Sequence, residues 1–103
     1  MLNTQEMRAQ CDEASQFLKL LANPNRLAIL CSLHEQRHNV TELSHLLDMP
    51  QAALSNQLML LKEAGFVACE IKHRERIYYL TDERIVETIA LLHRFFCHTE
   101  IEA

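Results

Sequence analysis

The chain has 103 residues, which is enough for one domain with a hydrophobic core and too few for two such domains. Its composition is 49% hydrophobic with one glycine and two prolines, which excludes a disordered chain, a collagen-like chain and an all-β sandwich. The longest apolar run covers residues 27–31 and the N-terminus is polar. We therefore expect a cytoplasmic protein with no secretory signal and no membrane contact.

The formal net charge of −4 is not typical of a nucleic-acid-binding protein, whose surface is usually basic. One stretch differs from this average, because Lys72, Arg74 and Arg76 fall within five residues. Any contact with a polyanion is therefore expected in this stretch.

Hydrophobic periodicity predicts five helices with short connections. Asn23-Pro24 has the pattern of an N-cap followed by a first-turn proline, and Asn39 and Glu42 have the spacing of an N-cap with an acid three positions on. Gly65 follows the fourth helix, where a left-handed residue is favoured. The predicted helices cover residues 6–21, a segment that starts at 24, and residues 40–47, 51–64 and 82–98.

The residues between the last two helices change to a strand-like pattern. Two β-prone runs, 66–71 and 76–80, enclose a polar turn at 72–75, which predicts a hairpin with a charged tip. The third and fourth helices are separated by only three residues, as in a helix-turn-helix. The predicted fold is mainly α with a β-hairpin, a winged helix-turn-helix of five helices and a two-stranded wing in one domain over residues 1–103.

The terminal helices have more apolar surface than one small core can cover. The last helix has one apolar stripe that includes Ile85 and Ile89 and a second that includes Val86 and Ala90, and the first helix is also apolar on one face. Large exposed apolar patches are unusual on monomers. We therefore expect a homodimer through the N- and C-terminal helices.

The fourth helix has the side chains that a DNA recognition helix needs. Opposite its leucines lie amides, a hydroxyl and a cation, which can bind base edges and phosphates in the major groove, and the basic hairpin tip can follow the phosphate backbone. Polar residues exposed to water on an ordinary helical domain would give the same pattern. The predicted DNA-binding residues are Gln51, Ala52, Ser55, Asn56, Gln57 and Lys62 on the helix and Lys72, His73, Arg74 and Arg76 on the hairpin.

The order of elements and the segments LLANPNRLAILCSL, ALSNQLMLLKEAGFV and RIYYLT resemble the ArsR/SmtB family of winged-helix transcriptional repressors. The resemblance covers about residues 17–97. It implies a homodimer that binds double-stranded operator DNA and releases it in response to a signal, with no catalytic activity and no cofactor. Gln57 stands where many members of the family have histidine, which leaves the base preference open.

Two of the four cysteines, Cys31 and Cys97, are placed as in the dithiol branch of that family, whose members sense persulfides and oxidants. That resemblance implies that the two thiols form a disulfide or polysulfide bridge within one subunit and that DNA is then released. We expect Cys97, near the end of the last helix, to react first and the more buried Cys31 to act as the resolving thiol. Cys11 and Cys69 are assigned to inert packing.

A metal-responsive repressor is the alternative. The places where metal-sensing members of the family carry their ligands lack them here, because residues 42–46 contain no cysteine and the last helix has Arg84 and Phe95 at ligand positions. A different site could use Cys97, His98 and His93, since thiolate and imidazole are good zinc ligands.

A remote alternative is a small metallopeptidase. His34, Glu35 and His38 match the H-E-x-x-H pattern, which places two zinc ligands and a general base on one helix. A peptidase also needs a long helix around this motif, a third ligand and a substrate cleft, for which this chain has little room. We therefore expect no enzymatic activity and no metal site.

Overall fold

The computed structural model describes residues 3–97. Five helices and a three-stranded antiparallel sheet follow each other in one chain. In chain order they are α1 (Thr4–Leu21), α2 (Pro24–Glu35), β1 (His38–Asn39), α3 (Val40–Leu47), α4 (Gln51–Glu63), β2 (Val67–Lys72), β3 (Glu75–Leu80) and α5 (Glu83–Phe96).

The helix boundaries are set by local caps, most of which the sequence predicted. The side chain of Asn23 accepts a hydrogen bond from the Arg26 N–H at the start of α2, and Asn39 and Glu42 form a reciprocal capping box at the start of α3. A second capping box, between Asn3 and Glu6, starts α1 two residues before the predicted position. The last predicted helix is shorter than expected, because Asp82 is its N-cap and Cys97 its C-cap.

The sheet has one strand more than predicted. The hairpin of β2 and β3 is present in the expected place, but β1 pairs with the other side of β3, so that the order is β1-β3-β2. In this pairing His38 lies opposite Tyr78 and Asn39 opposite Ile77. Strand β1 was not predicted from the sequence, because a two-residue strand has no periodicity of its own and depends on a partner far along the chain.

The core lies where α2, α4 and α5 meet the sheet. The predicted buried stripe of α4, Leu54, Leu58 and Leu61, is at most 1% exposed. The inner stripe of α5 adds Ile85 and Ile89, which are also fully buried. This packing fixes which face of α4 points outward, and it does so without any contribution from most of α1.

The terminal helices leave large apolar side chains exposed. Along α1, only Leu21 is buried, while Met7 and Leu18 are more than half exposed. At the end of α5, Phe95 and Phe96 are exposed, and so is the second apolar stripe from Ala90 to Cys97. Within residues 3–97 we found no helix that is long and apolar enough to cross a membrane.

Candidate DNA interface and thiol pocket

The turn between α3 and α4 directs the polar face of α4 outward, as expected for a recognition helix. Asp48 caps α3 in the left-handed conformation with φ 53°, and α4 starts directly after Pro50. Because the leucine stripe of α4 is buried, the opposite face is exposed along its length. The exposed predicted DNA-binding residues on this helix are Gln51, Ala52, Ser55, Asn56 and Lys62.

Gln57 differs from the other predicted contacts because it is half-buried. Its Oε1 accepts a hydrogen bond of 3.3 Å from Arg26 Nη1, and Arg26 Nε donates to the carbonyl oxygen of Leu20 at 2.6 Å. Arg26 therefore connects the end of α1 to the recognition helix. The structure places Gln57 in the scaffold that orients α4, and its role in base recognition stays a prediction.

The hairpin forms a basic projection beside the recognition helix. Its two-residue turn, His73-Arg74, has positive φ angles of 52° and 71°, as required by the tight turn that matches strand twist. Lys72 and Glu75 form the pair next to this turn, and Arg76 follows opposite Ile71. The side chains of Lys72, His73, Arg74 and Arg76 are all exposed. A cluster of exposed cations at a hairpin tip can contact phosphates without reading sequence.

At the base of the hairpin, Cys69 lies between two cations. Its Sγ is 3.8 Å from Lys62 Nζ and 3.9 Å from Arg76 Nη1, so that the recognition helix and both strands of the hairpin meet there. Cys69 is half-buried, whereas Cys11 on α1 is exposed in the single chain. Cys11 lies on the helix where a dimer contact is expected, and Cys69 lies on the hairpin, so their assignment to inert packing stays a prediction.

The ends of α2 and α5 enclose an open pocket of about 430 Å³. Both candidate sensing cysteines are part of its wall, although they are far apart in the sequence. The histidine one turn before Cys97 also lines it. The complete lining consists of Cys31, Ser32, Glu35, Gln36, His38, Leu46, His93 and Cys97.

The two pocket cysteines have different surroundings. Cys31 is half-buried and packs against the core, and burial raises the pKa of its thiol, with smaller increases from the nearby charges of Cys97 and Glu35. Cys97 is exposed and caps α5, where its N–H donates to the His93 carbonyl oxygen at 2.9 Å. The accessible thiol and the shielded thiol thus face one space, as the predicted division of roles requires.

Sequence reasoning missed the central position of His38. This side chain is only 5% exposed, and its Nδ1 has no hydrogen-bond partner. It lies 3.5 Å from Oε1 of Glu42 in the α3 capping box. The burial of His38 results from the pairing of β1 with β3, so no local sequence pattern predicted it.

Comparison with known proteins gives the family. Residues 23–68 match the family described as "Bacterial regulatory protein, arsR family". The transcriptional activator HlyU of Vibrio cholerae is 38% identical over 96 residues, which are 93% of this chain and 89% of that protein. The biofilm growth-associated repressor of Xylella fastidiosa is 30% identical over 102 residues, 99% of this chain and 90% of that protein. The chain belongs to the ArsR family.

Solved structures agree with this assignment. The crystal structure of HlyU from Vibrio vulnificus matches with a TM-score of 0.88 and 36% identity, over 93% of this chain and 100% of that one. The resemblance drawn from the sequence is thereby confirmed, and so is the winged helix-turn-helix fold. This ArsR-family chain is a DNA-binding transcriptional regulator, not an enzyme.

The H-E-x-x-H match in this ArsR-family chain does not form a peptidase site. Helix α2 ends at Glu35, and Gln36 is extended, with φ −168°. His34 therefore lies on a helix while His38 lies on strand β1, and the two side chains do not share a helix face. The metallopeptidase interpretation is wrong because the motif is divided between two elements.

The metal alternative rests partly on a residue outside the described range. His93 and Cys97 line the thiol pocket, but His98 lies beyond residue 97. Within residues 3–97, no three His, Cys, Asp or Glu side chains are grouped in a way that could coordinate a metal ion.

Proposed function

We propose that this ArsR-family regulator is a homodimeric repressor that releases operator DNA when Cys31 and Cys97 become joined by a disulfide or polysulfide bridge. The observation that supports this most directly is that both cysteines line one pocket. The resemblance to the dithiol branch of the family rests on the same two residues. As a DNA-binding protein it would act in the cytoplasm, where its operator lies.

The chemistry balances with a low-molecular-weight persulfide, RSSH, as the signal. The Cys97 thiolate attacks the outer sulfur of RSSH, its S–S bond breaks, and RSH leaves. The Cys31 thiolate then attacks the inner sulfur of the Cys97 persulfide, and hydrogen sulfide leaves as the disulfide forms. One RSSH therefore converts two thiols into a disulfide, one RSH and one H₂S. Each further RSSH inserts one more sulfur into the bridge and releases one more RSH.

The order of attack follows from accessibility and thiolate content. Cys97 is exposed, so that a dissolved persulfide can approach its sulfur. Burial and two nearby negative charges raise the pKa of Cys31, which lowers its thiolate fraction at neutral pH. Cys31 then reacts mainly within the protein, where a sulfur already bound to Cys97 is close by.

The bridge would alter DNA binding through the position of α5. Exposed apolar side chains on α1 and α5, among them Leu18, Phe95 and Phe96, support a dimer built on these two helices. A bridge would draw the end of α5 toward α2. In a dimer, this changes the separation of the two recognition helices, which must fit half-sites at a fixed spacing.

The test compares Cys31→Ser and Cys97→Ser with the wild-type protein and with Cys11→Ser as the matched control. Reduced proteins are treated anaerobically with a cysteine persulfide, and the bridge is located by intact mass and peptide mapping. DNA affinity is measured with operator duplexes that have been selected from a random library. We expect the wild type and the control to form a Cys31–Cys97 bridge and to release DNA. Both serine variants should bind DNA with the wild-type affinity when reduced, and they should not release it after treatment.

Two results would contradict the proposal. One is normal DNA release by both serine variants, which would exclude the dithiol mechanism. The other is operator binding that increases when the bridge forms, which would indicate activation by the signal rather than relief of repression. Transcription from an operator-controlled reporter, with and without the persulfide, separates these directions.

A further inference from the structure

His38 is the one buried polar residue among residues 3–97, and it contacts three parts of the molecule. It lines the pocket that contains Cys31 and Cys97. Its strand pairs with β3 of the hairpin, opposite Tyr78. Its Nδ1 faces Glu42 at the start of α3. His38 thus adjoins the thiol pocket and both parts of the DNA-binding unit, the hairpin through its backbone and the start of α3 through its ring.

The Nδ1 atom of His38 is unusual because it is buried without a hydrogen bond. Buried polar atoms are normally paired, since water is no longer available to them. The nearest carboxylate oxygen, Glu42 Oε1, is 3.5 Å away, which is too long for a hydrogen bond. A shift of a few tenths of an ångström would allow this bond to form, provided that Nδ1 carries the proton.

Glu42 Oε1 already takes part in the cap of α3. Glu42 Oε1 accepts a hydrogen bond of 2.9 Å from the Asn39 N–H, and the Glu42 N–H donates to Asn39 Oδ1 at 2.7 Å. Together these bonds form the capping box that begins α3, the first helix of the helix-turn-helix. The Glu42 carboxylate is thus bonded to Asn39 and lies within a short movement of His38 Nδ1.

We propose that His38 transmits the state of the thiol pocket to the helix-turn-helix by drawing the Glu42 carboxylate away from the α3 cap. A bridge between Cys31 and Cys97 narrows the pocket and displaces the His38 ring toward Glu42. The new Nδ1–H···Oε1 hydrogen bond weakens the bond to Asn39, and the start of α3 moves. This inference rests on the proposed function, and it names the residue that regulates DNA affinity within one subunit.

The experiment measures the ratio of operator Kd values for the bridged and the reduced protein. His38→Phe fills the same space without a ring nitrogen, and Glu42→Gln retains an oxygen for the Asn39 N–H but attracts the imidazole less. We expect both variants to form the bridge, as shown by mass, and to bind DNA normally when reduced. The ratio of the bridged to the reduced Kd should fall about fivefold or more in His38→Phe. In Glu42→Gln the same ratio should fall by a smaller factor.

Two further variants separate this role from a merely structural one. His34→Phe changes a half-buried histidine that does not line the pocket, so it should retain the wild-type ratio. His38→Asn places an amide N–H near the position of Nδ1 and should restore part of the ratio. Nitrogen NMR should show His38 Nδ1 gaining a hydrogen bond when the bridge forms.

The outcomes distinguish this inference from the function on which it rests. If the wild type forms no bridge or keeps its DNA affinity, the proposed function fails, and the role of His38 fails with it. If the wild type responds and His38→Phe responds equally, only the role of His38 is overturned. If His38→Phe does not fold, Glu42→Gln decides alone, and a wild-type ratio in that variant overturns the inference.

Discussion

The helix-turn-helix and the thiol pocket are built from different kinds of contact. The helix-turn-helix starts from a contact between neighbours in sequence, the Asn39–Glu42 capping box, and is held by the regularly spaced leucines of α4, which are buried in the core. The pocket depends on Cys31 and Cys97, which come together only after α5 has packed against α2. The first region is closely packed, whereas the second is open and ends in exposed aromatic side chains. A closely packed DNA-binding unit is thus joined to an open pocket between the ends of α2 and α5.

The largest effect is expected from removing a side chain that fixes the outward face of α4. Leu58→Ala should lower the free energy of unfolding by about 2–5 kcal/mol, because Leu58 is 1% exposed and its removal leaves a cavity. Met59→Ala, at the adjacent exposed position, should change it by less than about 0.5 kcal/mol. Urea titration monitored by circular dichroism gives both values. Equal effects at the two positions would show that the described face of α4 is not the buried one.

The next effect concerns the basic hairpin. Arg74→Ala and Arg76→Ala should each weaken operator binding and each lower the slope of log K against log salt by about 0.9, if each guanidinium neutralises one phosphate. Arg8→Ala on α1 removes the same charge from outside the hairpin and serves as the control. Fluorescence anisotropy over a range of salt concentrations supplies the slopes. A slope that stays at the wild-type value in both hairpin variants would remove this element from the DNA contact surface.

The same contrast explains how much the sequence could predict. Caps and apolar periodicity are local signals. They predicted both ends of α3 and all the buried leucines of α4 correctly. Strand β1 was missed because its hydrogen-bond partners lie in β3, about 40 positions away. The role of Gln57 was not visible either, since its contact with Arg26 joins two helices that only the tertiary fold brings together.

For the thiol pocket, the sequence supplied the residue types but not their arrangement. The predicted pairing of Cys31 with Cys97 came from a family resemblance. That both residues line the same pocket is visible only in the folded chain. His38 was assigned to the H-E-x-x-H motif, which the structure divides, because α2 ends before His38. Its burial follows from the position of β1 beside β3, which no spacing in the sequence encodes.

The smallest expected effect tests the electrostatics of the pocket. Burial is the main cause of the raised pKa of Cys31, and the charges of Cys97 and Glu35 raise it further. Glu35→Gln removes one of these charges, so the pKa of Cys31 should fall and its thiolate fraction at pH 7 should rise. The step in which Cys31 attacks the Cys97 persulfide should then be faster, by about twofold for a partly solvated charge.

The measurement is the decay of the Cys97 persulfide by rapid-quench mass spectrometry between pH 6 and pH 10. The step needs the Cys31 thiolate and a Cys97 persulfide whose outer sulfur is protonated, because HS⁻ leaves, so the proteins are compared with one another at each pH. Glu35→Gln should react faster than the wild type at each pH below the ordinary thiol pKa, while Glu87→Gln, which is exposed on α5, should not. Identical curves for all three proteins would mean that Glu35 does not act on the Cys31 thiolate, and burial alone would then account for the slow resolving step.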